Sequence, residues 1–299
     1  MAETPETILP GPEVFQACRK TATRAAGHAR ISLQRRSWRG QQGNWSGSGT
    51  GSSIDFQDHR PYLPGDDPRH IDWAAYARSG NYIMKLYREE VSPKVDLILD
   101  VSRSMTHRPE KQRRLFELAL FCQESAEAAG ASLNLMLIAG DAAHLPPPDT
   151  LRATVWPLPA DWIPGEGAPR LEALPLRPGS LRILISDLLY AEAPAACLRP
   201  LVSANGRVTL LVPFTREEAE PDWRGNLTLI DCESGERRRQ RVTERLRERY
   251  ARAYTAHRRQ WEDAARRHGA LIARVPAEAD LLESLQQEAF LKGAVEAWG

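Results

Sequence analysis

From Val95 to Met105 the chain reads Val-Asp-Leu-Ile-Leu-Asp-Val-Ser-Arg-Ser-Met, and no other stretch limits the fold as much. Its first half is apolar and branched, the pattern of a strand buried on both faces of a parallel sheet. Its second half places Asp100, Ser102 and Ser104 on alternate residues where the strand should end. Ligands bind at the C-terminal edge of open α/β sheets, so a carboxylate and two hydroxyls there are candidate site residues. All three offer hard oxygen, which suits Mg²⁺, Mn²⁺ or Ca²⁺ and not zinc. The same residues also suit a cap or turn before the next helix.

The pattern Asp-x-Ser-x-Ser resembles the metal-ion-dependent adhesion site of von Willebrand factor A domains. The resemblance implies that the two serines coordinate the ion directly. It further implies a threonine from a second loop, an aspartate from a third, and an open position that takes a partner's carboxylate.

A second stretch, Ile54 to Glu90, is as specific. Pro64-Gly65 is type II turn chemistry, and Asp66, Asp67 and Pro68 favour the start of a short helix through Ile71 to Ala77. Tyr82 to Glu90 reads as a strand. The run Arg60-Pro-Tyr-Leu-Pro-Gly-Asp-Asp-Pro-Arg-His-Ile-Asp-Trp73, followed by Ala77-Arg78 and Glu89-Glu90, resembles the hallmark of the bacterial family catalogued as domain of unknown function 58. That family carries a von Willebrand factor A-like domain directly after the hallmark, where Asp100-Val-Ser-Arg-Ser104 stands here. Its members are associated with MoxR-type AAA+ ATPases, as adaptors in assembling, activating or remodelling client complexes. The crowding of Asp66, Asp67, His70 and Asp72 also fits a metal-dependent phosphohydrolase or nuclease, though turn, cap and ion-pair contacts explain it more simply.

Around these two stretches the chain alternates strands and helices. Helices are expected over Glu13–Arg30, Glu110–Ala129, Pro194–Asn205 and Val242–His268, with Asp280-Leu-Leu-Glu283 as a capping box opening a last one. Strands are expected at Leu133–Ala139, Leu181–Asp187, Val208–Pro213, Leu227–Asp231 and Leu271–Val275. This predicts a doubly wound, mostly parallel, Rossmann-like sheet over residues 91–299, and the resemblance implies that it is von Willebrand factor A-like. Residues 1–90 are expected to form an N-terminal extension with short strands. Within it Gln41–Ser53 is expected to be a mobile Gly/Ser loop, and Gly47–Gly51 lacks the Gly-Lys-Ser/Thr of a P-loop.

Asp187 ends its strand as Asp100 does. The von Willebrand factor A-like order makes the two strands neighbours, and two carboxylates that close repel unless a cation sits between them or one is protonated. The alternative is that Asp187 caps the segment after it. The metal ligands expected are therefore Asp100, Ser102, Ser104 and Asp187. The threonine is missing: Gly165-Glu-Gly-Ala-Pro-Arg170 holds no Thr or Ser, and Ala168 stands near its place. Water or Glu166 would have to substitute, so Mg²⁺, Mn²⁺ or Ca²⁺ is expected to bind weakly, or only when a partner supplies oxygen, or the site to stay empty.

No nucleophile lies beside a base in the sequence, so the chain is expected not to be an enzyme. The formal net charge of +1 argues for no particular partner. Ten arginines over Arg237–Arg259, and Arg35, Arg36 and Arg39 near Trp38 and Trp45, suit nucleic acid. Glu236, Glu244 and Glu248 balance the former, and a solvated helix face is the favoured reading. The acidic start lacks a signal peptide's basic and apolar regions, and no window reaches the ~18 apolar residues of a membrane span. Cys18, Cys122, Cys197 and Cys232 form no pair in sequence, as expected of reduced thiols in a cytoplasmic protein.

Overall fold

The strand that ends at Asp100 is buried from Val95 onward because it lies inside a sheet covered on both faces. The computed structural model describes residues 10–33, 54–63, 66–89, 92–147, 149–153, 165 and 167–298. In chain order its elements are α1 (Pro12–Ala26), β1 (Ala29–Ile31), β2 (Ile54–Pro61), α2 (Trp73–Ser79), β3 (Ile83–Glu89), β4 (Lys94–Asp100), α3 (Arg103–Thr106), α4 (Pro109–Ala128), β5 (Ser132–Ala139), β6 (Ala142–His144) and β7 (Leu181–Ile185). Then come α5 (Pro194–Val202), β8 (Arg207–Phe214), α6 (Arg216–Ala219), β9 (Gly225–Ile230), β10 (Arg237–Val242), α7 (Glu244–Arg267), β11 (Leu271–Pro276), α8 (Leu281–Glu288) and β12 (Val295–Ala297). The chain divides into two compact units, Met1–Gln34 with Pro93–Gly299, and Arg35–Ser92.

The larger unit is a mixed α/β structure around a six-stranded sheet of order β11-β8-β7-β4-β5-β6. Its strands are parallel except for the edge pair β5–β6. Alternation along β4 feeds two cores. Leu97 and Leu99 pack with Phe15, Leu115, Leu118 and Leu281 on one side. Ile98 packs with Leu184, Leu198, Leu210 and Trp261 on the other. The buried stripe expected along the long helix is seen as buried Trp261 and Ala265, with Leu246, Tyr250, Tyr254 and His257 half-buried.

Residues 12–31 differ from the expected grouping with 1–90. Phe15, Cys18, Ala22 and Ala25 sit in the first core, and β1 pairs antiparallel with β12, Ala29 opposite Ala297. Their three- and four-residue spacing makes α1 a cover for the sheet rather than part of the hallmark segment. The helix expected over 242–268 begins later, at Glu244, because Val242 closes the β9–β10 ladder opposite Gly225. Arg237–Arg259 is therefore not one helix: Arg237–Arg241 belong to a strand. Asp280 accepts from Leu282 N at 3.0 Å as the N-cap of α8.

In the smaller unit β2 and β3 pair antiparallel with a shift between Phe56 and Asp58. Asp66, Asp67 and Asp72 are spent locally. Asp66 receives both ends of the Arg60 guanidinium at 2.7 Å and Leu63 N at 2.8 Å. Asp67 accepts from Arg69 N at 3.0 Å. Asp72 caps α2, accepting from Ala74 N and Ala75 N at 3.0 Å, with His59 Nε2 2.9 Å from its other oxygen. Gly80 closes that helix at φ +67°, the left-handed conformation glycine adopts without cost. The Pro64-Gly65 turn, the Gln41–Ser53 loop, Arg35, Arg36, Arg39 and Glu166 lie outside the described residues, as does the side chain of His70.

Among the described residues no helix is long and apolar enough to cross a membrane. Cys18, Cys122 and Cys197 are buried free thiols and Cys232 is a half-buried one.

Candidate functional site

β4 and β7 are neighbours, with Leu99 opposite Ile185, so Asp100 and the Ser186-Asp187 pair leave the sheet at the same edge. The turn after β4 is tied by Asp100 itself, whose Oδ1 accepts from Ser102 N at 3.0 Å. That turn starts α3 and brings the Ser102 and Ser104 hydroxyls to 3.1 Å from each other. Three of the four residues expected from the sequence thus converge, and the fourth, Asp187, is close enough for its charge to act on Asp100.

Asp100 is 2% exposed. Burial pushes its pKa above the usual carboxylate range, the Asp187 charge adds to the rise, and hydrogen bonds from Ser102, Tyr190 and Ser186 oppose it. Ser186 Oγ and Tyr190 OH each lie 2.7 Å from Asp100 Oδ2 and 2.7 Å from each other. Two hydroxyls supply two protons for three contacts. The triangle is complete when Asp100 carries a proton of its own, and one contact short when it is ionised.

Asp187 has a partner that sequence reasoning missed. Lys111 in α4 is fully buried, its Nζ 2.7 Å from Asp187 Oδ2 and 2.6 Å from Glu218 Oε1. Burial alone would lower the lysine pKa; the charges of Asp187 and Glu218 outweigh it and hold the ammonium above its usual value. Glu218 is held by a capping box at α6, where Thr215 N donates to Glu218 Oε2 at 2.9 Å and Glu218 N to Thr215 Oγ1 at 3.2 Å. The other oxygen of Asp187, Oδ1, accepts from Leu189 N at 3.0 Å. Both signals stood in the sequence: a lysine in register with Leu115, Leu118 and Cys122 on the buried face of α4, and Thr-Arg-Glu-Glu218.

A second unexpected group is Glu233, on the turn between β9 and β10. Its Oε1 accepts from Ser104 N at 2.8 Å, across 129 positions of sequence. Ala168, where the resemblance calls for a threonine, offers no hydroxyl. Nearby, Gly165 N donates to Ala139 O at 2.8 Å at the end of β5. A Cβ on Gly165 would meet Ala142 N at 2.7 Å, so only glycine lets the loop approach this closely.

A divalent ion fits part of this set. Octahedral Mg²⁺ with oxygens at 2.0–2.1 Å spaces neighbouring ligands about 3 Å apart, the separation of the two serine hydroxyls. Asp100, Asp187 and Glu218 carry three negative charges when ionised and Lys111 returns one, which leaves a deficit of two. Against this, Asp187 is already engaged by Lys111, and among the described residues no three His, Cys, Asp or Glu side chains stand at ligand spacing. An ion here would rest on the two hydroxyls and Asp100, with Asp187 acting through its charge.

The β9–β10 ribbon pairs only with itself. Arg237, Arg239 and Arg241 alternate onto one face with Ile230, Thr228 and Asn226 opposite them, all exposed. Along α7 three of the arginines that follow β10 are balanced instead, in the ion pairs Arg247–Glu244, Arg252–Glu248 and Arg258–Glu262.

The sequence model of the family described as "Protein of unknown function DUF58" matches residues 58–260. Uncharacterized proteins of Mycobacterium tuberculosis and Mycobacterium bovis are each 28% identical over 245 residues, spanning 76% of this chain and 76% of theirs. Among solved structures, a conserved hypothetical protein BatB from Bacteroides thetaiotaomicron is similar over 67% of this chain and 98% of its own, at 14% identity and a TM-score of 0.35.

Proposed function

This chain belongs to the DUF58 family of proteins of unknown function, and from that premise we propose that it is a non-enzymatic interaction module. Its larger unit is von Willebrand factor A-like, and it works in the bacterial cytoplasm as an adaptor for a MoxR-type AAA+ ATPase in assembling or remodelling client complexes. The observation that carries this reading is the pair of serine hydroxyls 3.1 Å apart at the sheet edge, backed by the buried carboxylate of Asp100. Such a set has the shape of a clamp and lacks a nucleophile activated by a base.

In this reading the Ser102 and Ser104 hydroxyls would hold the ion together with Asp100, and Asp187 would add its negative charge. A bound Mg²⁺ or Mn²⁺ supplies a hard Lewis-acid position for a Glu or Asp of the partner. Lys111 fixes the Asp187 carboxylate by its ion pair, and the Ser186–Tyr190 pair orients Asp100 while excluding water from its inner oxygen.

The test is affinity purification of the chain from its native host, with and without chelator. An AAA+ ATPase that co-purifies in magnesium, and is lost both in chelator and with Asp100→Ala, is the expected result. A complex unchanged by both treatments would remove the metal clamp. The unpaired arginine face of β10 favours a second reading, nucleic-acid binding. A gel shift that salt weakens steeply and Arg239→Ala reduces would move the assignment there.

A further inference from the structure

The tip of the β9–β10 hairpin is built to hold one carboxylate over the site. Asp231 Oδ1 collects both Glu233 N and Ser234 N at 2.9 Å, and Asp231 O accepts from Gly235 N at 2.9 Å. Gly235 takes φ +71°, and Asp231 N returns to Glu236 O at 2.9 Å. This turn fixes the backbone at Glu233, whose Oε1 reaches Ser104 N at 2.8 Å. Ser104 also carries one of the two paired hydroxyls. The neighbouring Cys232 is half-buried.

Lys111 is committed to Asp187 and Glu218. The contact that holds the Glu233 carboxylate is a backbone N–H, and a cation between the hydroxyls and Glu233 would add an attraction. The arm is also easy to release. Glu233 is exposed, and β9 and β10 make no ladder with the main sheet.

We infer that Glu233 is the chain's own occupant of the position a partner's carboxylate would take, so that the β9–β10 hairpin is a strap over the site which an arriving partner displaces. This rests on the metal-dependent reading of the site given above.

The test is Mn²⁺ binding to the full chain, followed by water-proton relaxation, for the wild type, Glu233→Gln, Asp100→Asn and Glu236→Gln. The amide of Glu233→Gln keeps an acceptor for Ser104 N but loses the charge. It is expected to weaken Mn²⁺ about ten- to a hundredfold and to raise the relaxation per bound ion, because a water enters the vacated position. Added acetate should lower that relaxation in Glu233→Gln and leave the wild type unchanged. Glu236→Gln removes the same charge from the same turn and should match the wild type. If the wild type binds Mn²⁺, Asp100→Asn weakens it and Glu233→Gln equals the wild type in affinity and relaxation, the strap is overturned while the metal reading stands. If the wild type binds no Mn²⁺, both are overturned.

Discussion

Lys111 and Asp187 form a salt bridge of 2.7 Å in which the lysine side chain is fully buried and the aspartate 4% exposed. Glu218 completes it from the other side at 2.6 Å. The chain has placed a tethered cation against one of the two carboxylates that resemblance assigns to a metal, which divides the edge into a lysine-neutralised half and a hydroxyl-bonded half at Asp100.

Removing that cation should be costly. Lys111→Met leaves the buried Asp187 carboxylate facing the partly exposed Glu218 and is expected to destabilise the fold by about 3–5 kcal/mol, since breaking a buried pair strands an uncompensated charge. Combining it with Asp187→Leu should recover part of the loss. Urea denaturation of both variants checks the order.

Asp100 should make the fold pH-sensitive in chelator. Its folded pKa lies above its unfolded value because of burial and Asp187. Between the two values the folded state therefore binds more protons, and stability falls as pH rises through that window. Asp100→Asn removes this loss. At neutral pH it is expected to melt above the wild type by about 2–4 °C, the size of a 1 kcal/mol effect in a chain of 150–250 residues. The difference should shrink toward acid. Thermal melts across pH decide it.

Supplying the absent hydroxyl should strengthen the site. Ala168→Thr is expected to tighten Mn²⁺ binding about tenfold with little change in melting temperature. Ser102→Ala and Ser104→Ala should each weaken it. Titration calorimetry reads all three.

Hydrolytic turnover is not expected. Phosphoester substrates with Mg²⁺ or Mn²⁺ should give rates equal to the blank, because the Asp66, Asp67 and Asp72 carboxylates are used in caps and an ion pair within their own segment. Turnover lost in Asp66→Asn or Asp72→Asn would reverse this.

The α/β pattern and the Asp100 edge could be read from residue order because burial on both faces forces a continuous apolar strand, and β4 is one. The strands β1, β6 and β12, of three residues each, are too short to carry a period. β10 reads Arg-Arg-Arg-Gln-Arg-Val, where a ribbon exposed on both faces gives no alternation to find. Asp187 could be read as an acid at the sheet edge, but its engagement by Lys111 depends on how α4 lies over β7, which no local spacing encodes. Glu233 was harder still, since its contact depends on where a self-paired hairpin comes to rest.

The pairing of Ala29 with Ala297 bears on how the molecule forms. A contact spanning so much of the chain is among the slowest to close, because its loop entropy must be overcome before the pairing returns anything. During synthesis the stripe Phe15, Cys18, Ala22 and Ala25 emerges long before α8 and β12 exist to finish its cover. The nascent chain therefore spends most of its elongation with a sticky helix exposed, and the closing strand acts as the latch that ends that interval.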